Sequence, residues 1–136
     1  VSIRFDNLYA YDAEENAILI CHKCENDCDS DFIRYMRLCG LTSDFDCATL
    51  SLLHELGHAE TVNNFTDDEW LQDALLKEVI CYRPVETIEE RTSAYFAYWD
   101  TATEHAANMW AVRYTKTHHK AVAQLEEIIE ETVAWK

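Results

Sequence analysis

Two histidines stand four positions apart in the stretch LSLLHELGHAE, and a glutamate directly follows the first of them. Each residue of an α-helix turns about 100°, so residues four apart share one face and lie one turn apart along the axis. The imidazoles of His54 and His58 could therefore reach one ion, with Glu55 beside that face. This H-E-x-x-H spacing is typical of helices in which the histidines bind zinc and the glutamate acts on a water molecule held by the ion.

A catalytic zinc site needs a third protein ligand, because the fourth position is left to water. Glu60 is turned away from the histidine face, and the acidic residues at 67–69 and 86–90 mark the starts of other helices. Glu104 stands among small residues in TEHAANMWAVRY, which permit close approach to a neighbouring element. We therefore expect Glu104 to be the third ligand. Gly57, between the histidines, is expected to leave room for another element near the metal.

The two stretches together resemble metallopeptidases of the ImmA/IrrE type, a compact branch of the glutamate-zincin class. In that family, a helix with H-E-L-G-H is followed some tens of residues later by a helix similar to E-x-E-A-N-x-F-A. The chain has EHAANMWA at 104–111 and departs from the second pattern at Ala106, where the family has an acid. The resemblance covers residues 48–113. It implies that His54, His58 and Glu104 bind one zinc ion and that Glu55 is the catalytic acid and base.

The activity implied by this resemblance is zinc-dependent hydrolysis of peptide bonds in a protein or peptide substrate, with a regulatory protein as a candidate partner. Two other functions stay open: a noncatalytic acidic interaction or regulatory protein on a metal-binding fold, and a zinc hydrolase of a non-peptide substrate. The donor that stabilises the oxyanion is also open. Five side chains are candidates for it, and no spacing rule selects among them: Tyr95, Tyr98, His105, Arg113 and Tyr114.

The cysteines offer a second, structural zinc site. CHKCENDC supplies Cys21, Cys24 and Cys28, and Cys39 or Cys47 could complete a tetrahedron. A structural zinc site usually has two C-x2-C pairs, and only one such pair is present in this sequence. We therefore favour free or redox-active thiols for these residues.

The composition limits the partners. The formal net charge of −15 opposes binding to nucleic acid or to anionic membrane surfaces, and it leaves open a basic protein partner or an imitation of DNA. The sequence has no apolar run as long as the roughly 20 residues of a membrane-spanning helix, and its first twenty residues lack the basic start and apolar middle of a signal peptide. We expect a cytoplasmic protein. The sequence predicts no oligomeric state.

The length of the chain predicts a single domain over residues 1–136. The pattern of apolar residues predicts a compact, mostly helical α+β fold with a small N-terminal antiparallel sheet, and the resemblance implies that this fold is zincin-like. The scarcity of turn-forming residues supports this prediction, since only two glycines and one proline occur. Thr66 and Glu69 form a predicted capping box, and Asp46 or Thr49 is expected to begin the helix with the histidines. The predicted elements are a strand at 16–21 and helices at 29–40, 46–62, 66–82, 87–117 with a break near Asp100, and 119–136.

Overall fold

The computed structural model describes the backbone of residues 2–6, 10–21 and 29–134, and the side chains of residues 10–18 and 30–131. Helices dominate the described part, and a small sheet lies at its N-terminal end, which confirms the predicted α+β class. The strands are β1 (Ser2–Asp6), β2 (Ala10–Asp12) and β3 (Ala17–Cys21). The helices are α1 (Asp29–Leu38), α2 (Cys47–Thr61), α3 (Asp67–Tyr82), α4 (Ile88–Trp99), α5 (Ala102–Thr117) and α6 (His119–Ala134), with a short 3-10 turn at Val62–Asn64.

The sheet has the order β1-β3-β2. The β2–β3 hairpin is antiparallel, as predicted, and places Tyr11 opposite Ile18. Its turn is closed by the carboxylate of Asp12, which accepts the backbone N–H groups of the two residues that follow Ala13, and by Asn16 at φ 46°. β1 adds a parallel strand on the other side of β3. Parallel pairing joins strands that are not hairpin neighbours, so the local pattern gives no signal for it.

α1 ends as the sequence predicts, just before Gly40, whose φ of 107° suits glycine. Phe32 and Met36 are buried on one side of this helix. The third buried side chain is Tyr35, whereas Leu38 points into solvent. Tyr35 can be buried because its hydroxyl reaches polar partners at the start of α5, including the carboxylate of Asp100 at 2.6 Å.

Three predicted helix starts and breaks are confirmed by their capping contacts. Asp46 accepts the backbone N–H of Thr49 and begins α2. Thr66 and Glu69 form the predicted capping box at the start of α3. The chain breaks at Asp100 between α4 and α5. These signals are local, so the sequence carries them without help from the tertiary fold.

The core forms where α2 crosses α5. Leu50 and Leu53 of α2 pack in one fully buried cluster with Ala111 and Val112 of α5. Gly57 lies at the closest point of the crossing, where an added Cβ would stand 2.5 Å from the carbonyl oxygen of Ala107. The expected role of Gly57 in admitting a neighbouring element is thus confirmed, and the neighbour is the helix that carries Glu104.

None of the helices within residues 2–6, 10–21 and 29–134 combines the length and the apolar character that crossing a bilayer requires.

Candidate metal centre

The side chains of His54, His58 and Glu104 meet at the α2–α5 crossing. Nε2 of His54 lies 3.1 Å from Nε2 of His58 and 3.2 Å from Oε1 of Glu104. Oε2 of Glu104 lies 2.7 Å from Nε2 of His58. The three residues predicted as ligands are therefore brought together, on helices whose ligand positions are fixed by the tight crossing at Gly57.

This donor set fits a zinc ion. Two imidazole nitrogens and one carboxylate oxygen, with a further position open, are the ligands of catalytic zinc sites. Bonds of about 2.0–2.2 Å at tetrahedral angles keep donor atoms about 3.3–3.5 Å apart. The distances between the three residues run from 2.7 to 3.2 Å. Small side-chain rotations would open these distances to those of a zinc site.

Asn108 orients the first histidine, a role that the sequence reasoning did not assign. Its Oδ1 lies 2.5 Å from Nδ1 of His54, and its amide nitrogen faces the carbonyl oxygen of Trp99 at 3.5 Å. Because the amide oxygen only accepts, the proton of His54 stays on Nδ1 and Nε2 is the nitrogen that can bind an ion. Asn108 stands one turn after Glu104, so its place on the same helix face was a usable signal.

The two predicted ligands His54 and Glu104 shift each other's pKa in opposite directions. Burial alone would lower the pKa of His54, but the hydrogen bond to Glu104 and the neighbouring carboxylates outweigh it and raise the pKa. Burial likewise favours a neutral Glu104, yet the hydrogen bonds from the two histidines hold its pKa far below the usual range. A metal ion and a proton would compete for Nε2 of His54, because a metal binds only the unprotonated nitrogen.

Glu55 lies beside the three ligands without joining them. The side chain is buried, and its Oε1 stands 3.8 Å from Nε2 of His54. Burial raises the pKa of Glu55, and the neighbouring histidines only partly oppose this effect. A carboxylate with a raised pKa is a stronger proton acceptor than an exposed one, so the environment suits Glu55 to general-base chemistry.

Lys77 is a further member of the site that sequence reasoning missed. Its Nζ donates to Oε2 of Glu104 at 2.9 Å and to the hydroxyl of Thr103 at 2.7 Å, and it pairs with Asp73 at 3.1 Å. Asp73 in turn accepts both the backbone N–H and the hydroxyl of Thr103. α3 thus helps to fix the carboxylate of Glu104, at the same oxygen that approaches His58 of α2. The Asp73–Lys77 pair has the four-residue spacing of an ordinary surface ion pair, so no pattern marked it.

The cluster opens onto a cleft with a volume of about 270 Å³. Glu55, His58 and Glu104 line this cleft together with Lys77, and Ala10 and Tyr11 of β2 also contribute to its lining. Two of the three predicted ligands, His58 and Glu104, are therefore reached from the same opening as Glu55, whereas His54 lies behind them without lining the cleft.

Of the five candidate oxyanion donors, Tyr98 lines this cleft. Tyr95 stacks on Trp99, and Tyr114 stacks between aromatic rings of α5 and its C-terminal cap. His105 contacts the hydroxyl of Tyr35, and Arg113 is exposed. The geometry thus favours Tyr98 among the five.

The predicted cysteine site falls largely outside the described residues. Cys24 and Cys28 lie in the range 22–28, and only the backbone of Cys21 is described, as the last residue of β3. Cys39 and Cys47 follow α1 and begin α2, respectively. The second zinc ion at Cys21, Cys24, Cys28 and Cys39 or Cys47 therefore stays a prediction.

No protein-family model, curated protein or solved structure matches this chain. The resemblance to the ImmA/IrrE type consequently rests on the two motifs alone. What the fold adds is the spatial meeting of the residues in those motifs.

Proposed function

We propose that this chain is a zinc-dependent metallopeptidase of the glutamate-zincin class, related to the ImmA/IrrE type, that hydrolyses peptide bonds of a protein substrate. The observation that carries the proposal is the meeting of His54, His58 and Glu104, with the buried carboxylate of Glu55 beside them, at one wall of an open cleft. A chance H-E-x-x-H pattern on a surface helix would not be expected to find a third ligand 50 residues away in sequence.

The roles in the reaction follow from the positions of the side chains. A zinc ion held by His54, His58 and Glu104 would supply the Lewis acid that acidifies a water molecule and polarises the substrate carbonyl. Glu55 takes the proton from the attacking water and delivers it to the leaving amine. Asn108 holds His54 in the tautomer that binds through Nε2. Tyr98, which lines the cleft, is the proposed hydrogen-bond donor to the oxyanion.

A polypeptide substrate is supported by the residues of β2 that line the cleft. Ala10 and Tyr11 of β2 line it, and β2 lies at the edge of the sheet that the described strands form. An extended peptide can pair with such an edge through main-chain hydrogen bonds. This arrangement favours a peptide over a compact small-molecule substrate.

We also propose that the protein works in the cytoplasm on a regulatory protein. Cys39 and Cys81 are free thiols in the described part of the chain, as is common in a reducing compartment. The regulatory substrate follows from the resemblance alone.

A noncatalytic protein is the second candidate, and Lys77 is the observation that favours it. Its ammonium group and the two histidines together satisfy the carboxylate of Glu104 without a metal. Structural ion-pair networks of this kind also perturb pKa values. In this case the cluster would stabilise the α2–α3–α5 packing and the acidic surface would carry the function.

Zinc content and proteolysis of an unfolded protein such as casein separate the two candidates. The peptidase proposal predicts about one tightly bound zinc per chain at the three ligands. Glu55→Gln should keep the zinc and lose at least about a thousandfold in rate. Glu104→Ala should lose both zinc and activity.

Glu60→Gln is the matched control, because Glu60 is exposed on the same helix and should change neither quantity. A wild-type chain that binds no zinc would remove the peptidase proposal. A chain that binds zinc through these ligands and cleaves no protein would favour a zinc hydrolase of a non-peptide substrate or a noncatalytic metal-binding protein.

A further inference from the structure

α3 packs against the rest of the fold through its polar side. Asp73 is its one buried residue, and Lys77, Trp70 and Ile80 are half-buried on the same side. Asp73 and Lys77 bind Thr103 and Glu104 of α5, as described for the metal centre. The side of α3 that normally carries the apolar stripe of a packed helix is thus occupied by an ion-pair network.

The opposite side of α3 is apolar and faces solvent. Four large side chains follow one another at spacings of four, four and three residues, which places them within about 80° of arc. Their exposed fractions are 59% for Leu71, 53% for Leu75, 63% for Val79 and 81% for Tyr82. Single exposed apolar residues are ordinary, but a contiguous stripe along a whole helix marks an interaction surface.

Most of the charges near this stripe are acidic, and Arg83, directly after Tyr82, is the exposed cation among residues 66–83. Asp67, Asp68, Glu69 and Glu78 are exposed on α3, while the one lysine of the helix turns inward to Asp73. The chain as a whole carries a net charge of −15. We call these four acidic residues the acidic rim. If a second copy of the chain docked here, the two acidic rims would repel each other, and anionic lipid would be repelled in the same way.

We propose that the outward face of α3, defined by Leu71, Leu75, Val79 and Tyr82, docks a basic amphipathic helix of a partner protein. The spacing of the stripe matches a helix laid alongside, whose own apolar residues at i, i+3, i+4 and i+7 would cover the four side chains. Lysines or arginines flanking those residues would meet the acidic rim and set the orientation. This surface is independent of the proposed peptidase activity, since none of the four side chains lines the cleft.

A synthetic peptide of about 18 residues tests the proposal, a length sufficient for a helix that folds on binding. The probe has leucines at helical spacing on one side and lysines on the other, carries a fluorophore and is titrated with the full chain. One peptide should bind per chain. Leu75→Asp and Val79→Asp should each weaken binding by at least about tenfold, because each places a carboxylate where an apolar contact forms.

Leu38→Asp is the matched control, since Leu38 is 74% exposed on α1, away from this face, and its replacement should leave binding unchanged. A peptide with glutamates in place of the lysines should not bind. Circular dichroism should show wild-type helix content in all variants, because each replaced side chain is at least half exposed.

Three results would overturn the proposal. Equal binding by the wild type and both α3 variants would mean that charge attraction alone holds the peptide. Failure of the wild type to bind the basic peptide would remove the partner chemistry. Sedimentation of the wild type as a dimer that Leu75→Asp dissociates would assign the surface to a second copy of this chain.

Discussion

Oδ1 of Asn108 lies 2.5 Å from Nδ1 of His54, and Asn108 stands one helical turn after Glu104. One helix therefore supplies a predicted ligand and also fixes the ring of another ligand that comes from α2. Both residues of this hydrogen bond are buried, so water cannot replace a missing partner easily.

Replacing Asn108 by leucine should weaken zinc binding by about 10- to 100-fold, the usual cost of losing the hydrogen bond behind a metal-binding histidine. Leucine has nearly the same size but accepts no hydrogen bond, so the ring of His54 loses its fixed orientation. Competition with a chromogenic chelator measures the affinity. Asn108→Asp keeps an acceptor oxygen and should retain most of the affinity, and equal losses in both variants would contradict the role in orientation.

The crossing at Gly57 gives a second prediction. Alanine would favour the helix by about 1 kcal/mol over glycine. Its Cβ would, however, stand 2.5 Å from the carbonyl oxygen of Ala107, and backbone cannot rotate away as a side chain can. We expect Gly57→Ala to reduce the free energy of unfolding by about 1–3 kcal/mol and to weaken zinc binding, because α5 must shift and carry Glu104 with it.

Urea unfolding and zinc titration check this result. Glu60→Ala changes an exposed position of the same helix and should leave both quantities near wild type. A Gly57→Ala chain more stable than the wild type would show that the two helices separate at little cost.

Lys77 allows the metal and ion-pair interpretations of the cluster to be compared by stability alone. In the metal-free chain its ammonium group compensates the buried carboxylates of Glu104 and Asp73. Lys77→Met should lower the melting temperature by several degrees, because it leaves these charges without their cation. Added zinc should reduce this deficit, since the ion supplies positive charge to Glu104. A deficit that zinc leaves unchanged would favour a purely structural network.

The lowered pKa of Asp73 leads us to expect that the stability of the fold depends on pH. Burial opposes its charge, but the hydrogen bonds from Thr103 and the contact with Lys77 outweigh burial and hold its pKa below the usual value. Such a group stabilises the folded state above its unfolded pKa of about 4, and the contribution is lost as the pH falls through the lower folded pKa. Asp73→Asn should therefore cost about 1–3 kcal/mol at neutral pH and progressively less in acid.

Melting temperatures of the wild type and Asp73→Asn between about pH 7 and pH 3 check whether the difference in stability narrows as the pH falls. Glu78→Gln, at an exposed position on the same helix, should follow the wild-type curve. A constant difference between Asp73→Asn and the wild type at every pH would remove the assignment.

The parts of this molecule that the sequence predicts are those with a local cause. The capping contacts of Asp46 and Thr66 and the break at Asp100 depend on residues within four positions, and each is found where expected. The shared face of His54 and His58 follows from helical geometry alone. The prediction of Glu104 as the third ligand required more than local geometry. It depended on the small residues around Glu104 and on the resemblance of the two motifs to a known family.

The parts that the sequence does not predict depend on how elements meet. α3 carries an apolar stripe and a charged pair, and hydrophobicity alone would turn the stripe inward. The structure turns Asp73 and Lys77 inward, because Thr103 and Glu104 offer them partners that no pattern in α3 indicates. The parallel pairing of β1 is likewise a property of the assembled sheet.

The two helices that carry the ligands are far apart in the chain, with α3 and α4 between them. An ion bound to both His58 and Glu104 would close a loop of about 45 residues, and a covalent cross-link around a loop of that length is worth about 4 kcal/mol through the entropy of the unfolded chain. Zinc would thus act as a reversible cross-link that spans a third of the protein. Its removal would be expected to loosen α3 and α4 as a unit, before the α1 and α6 packing around α2 gives way.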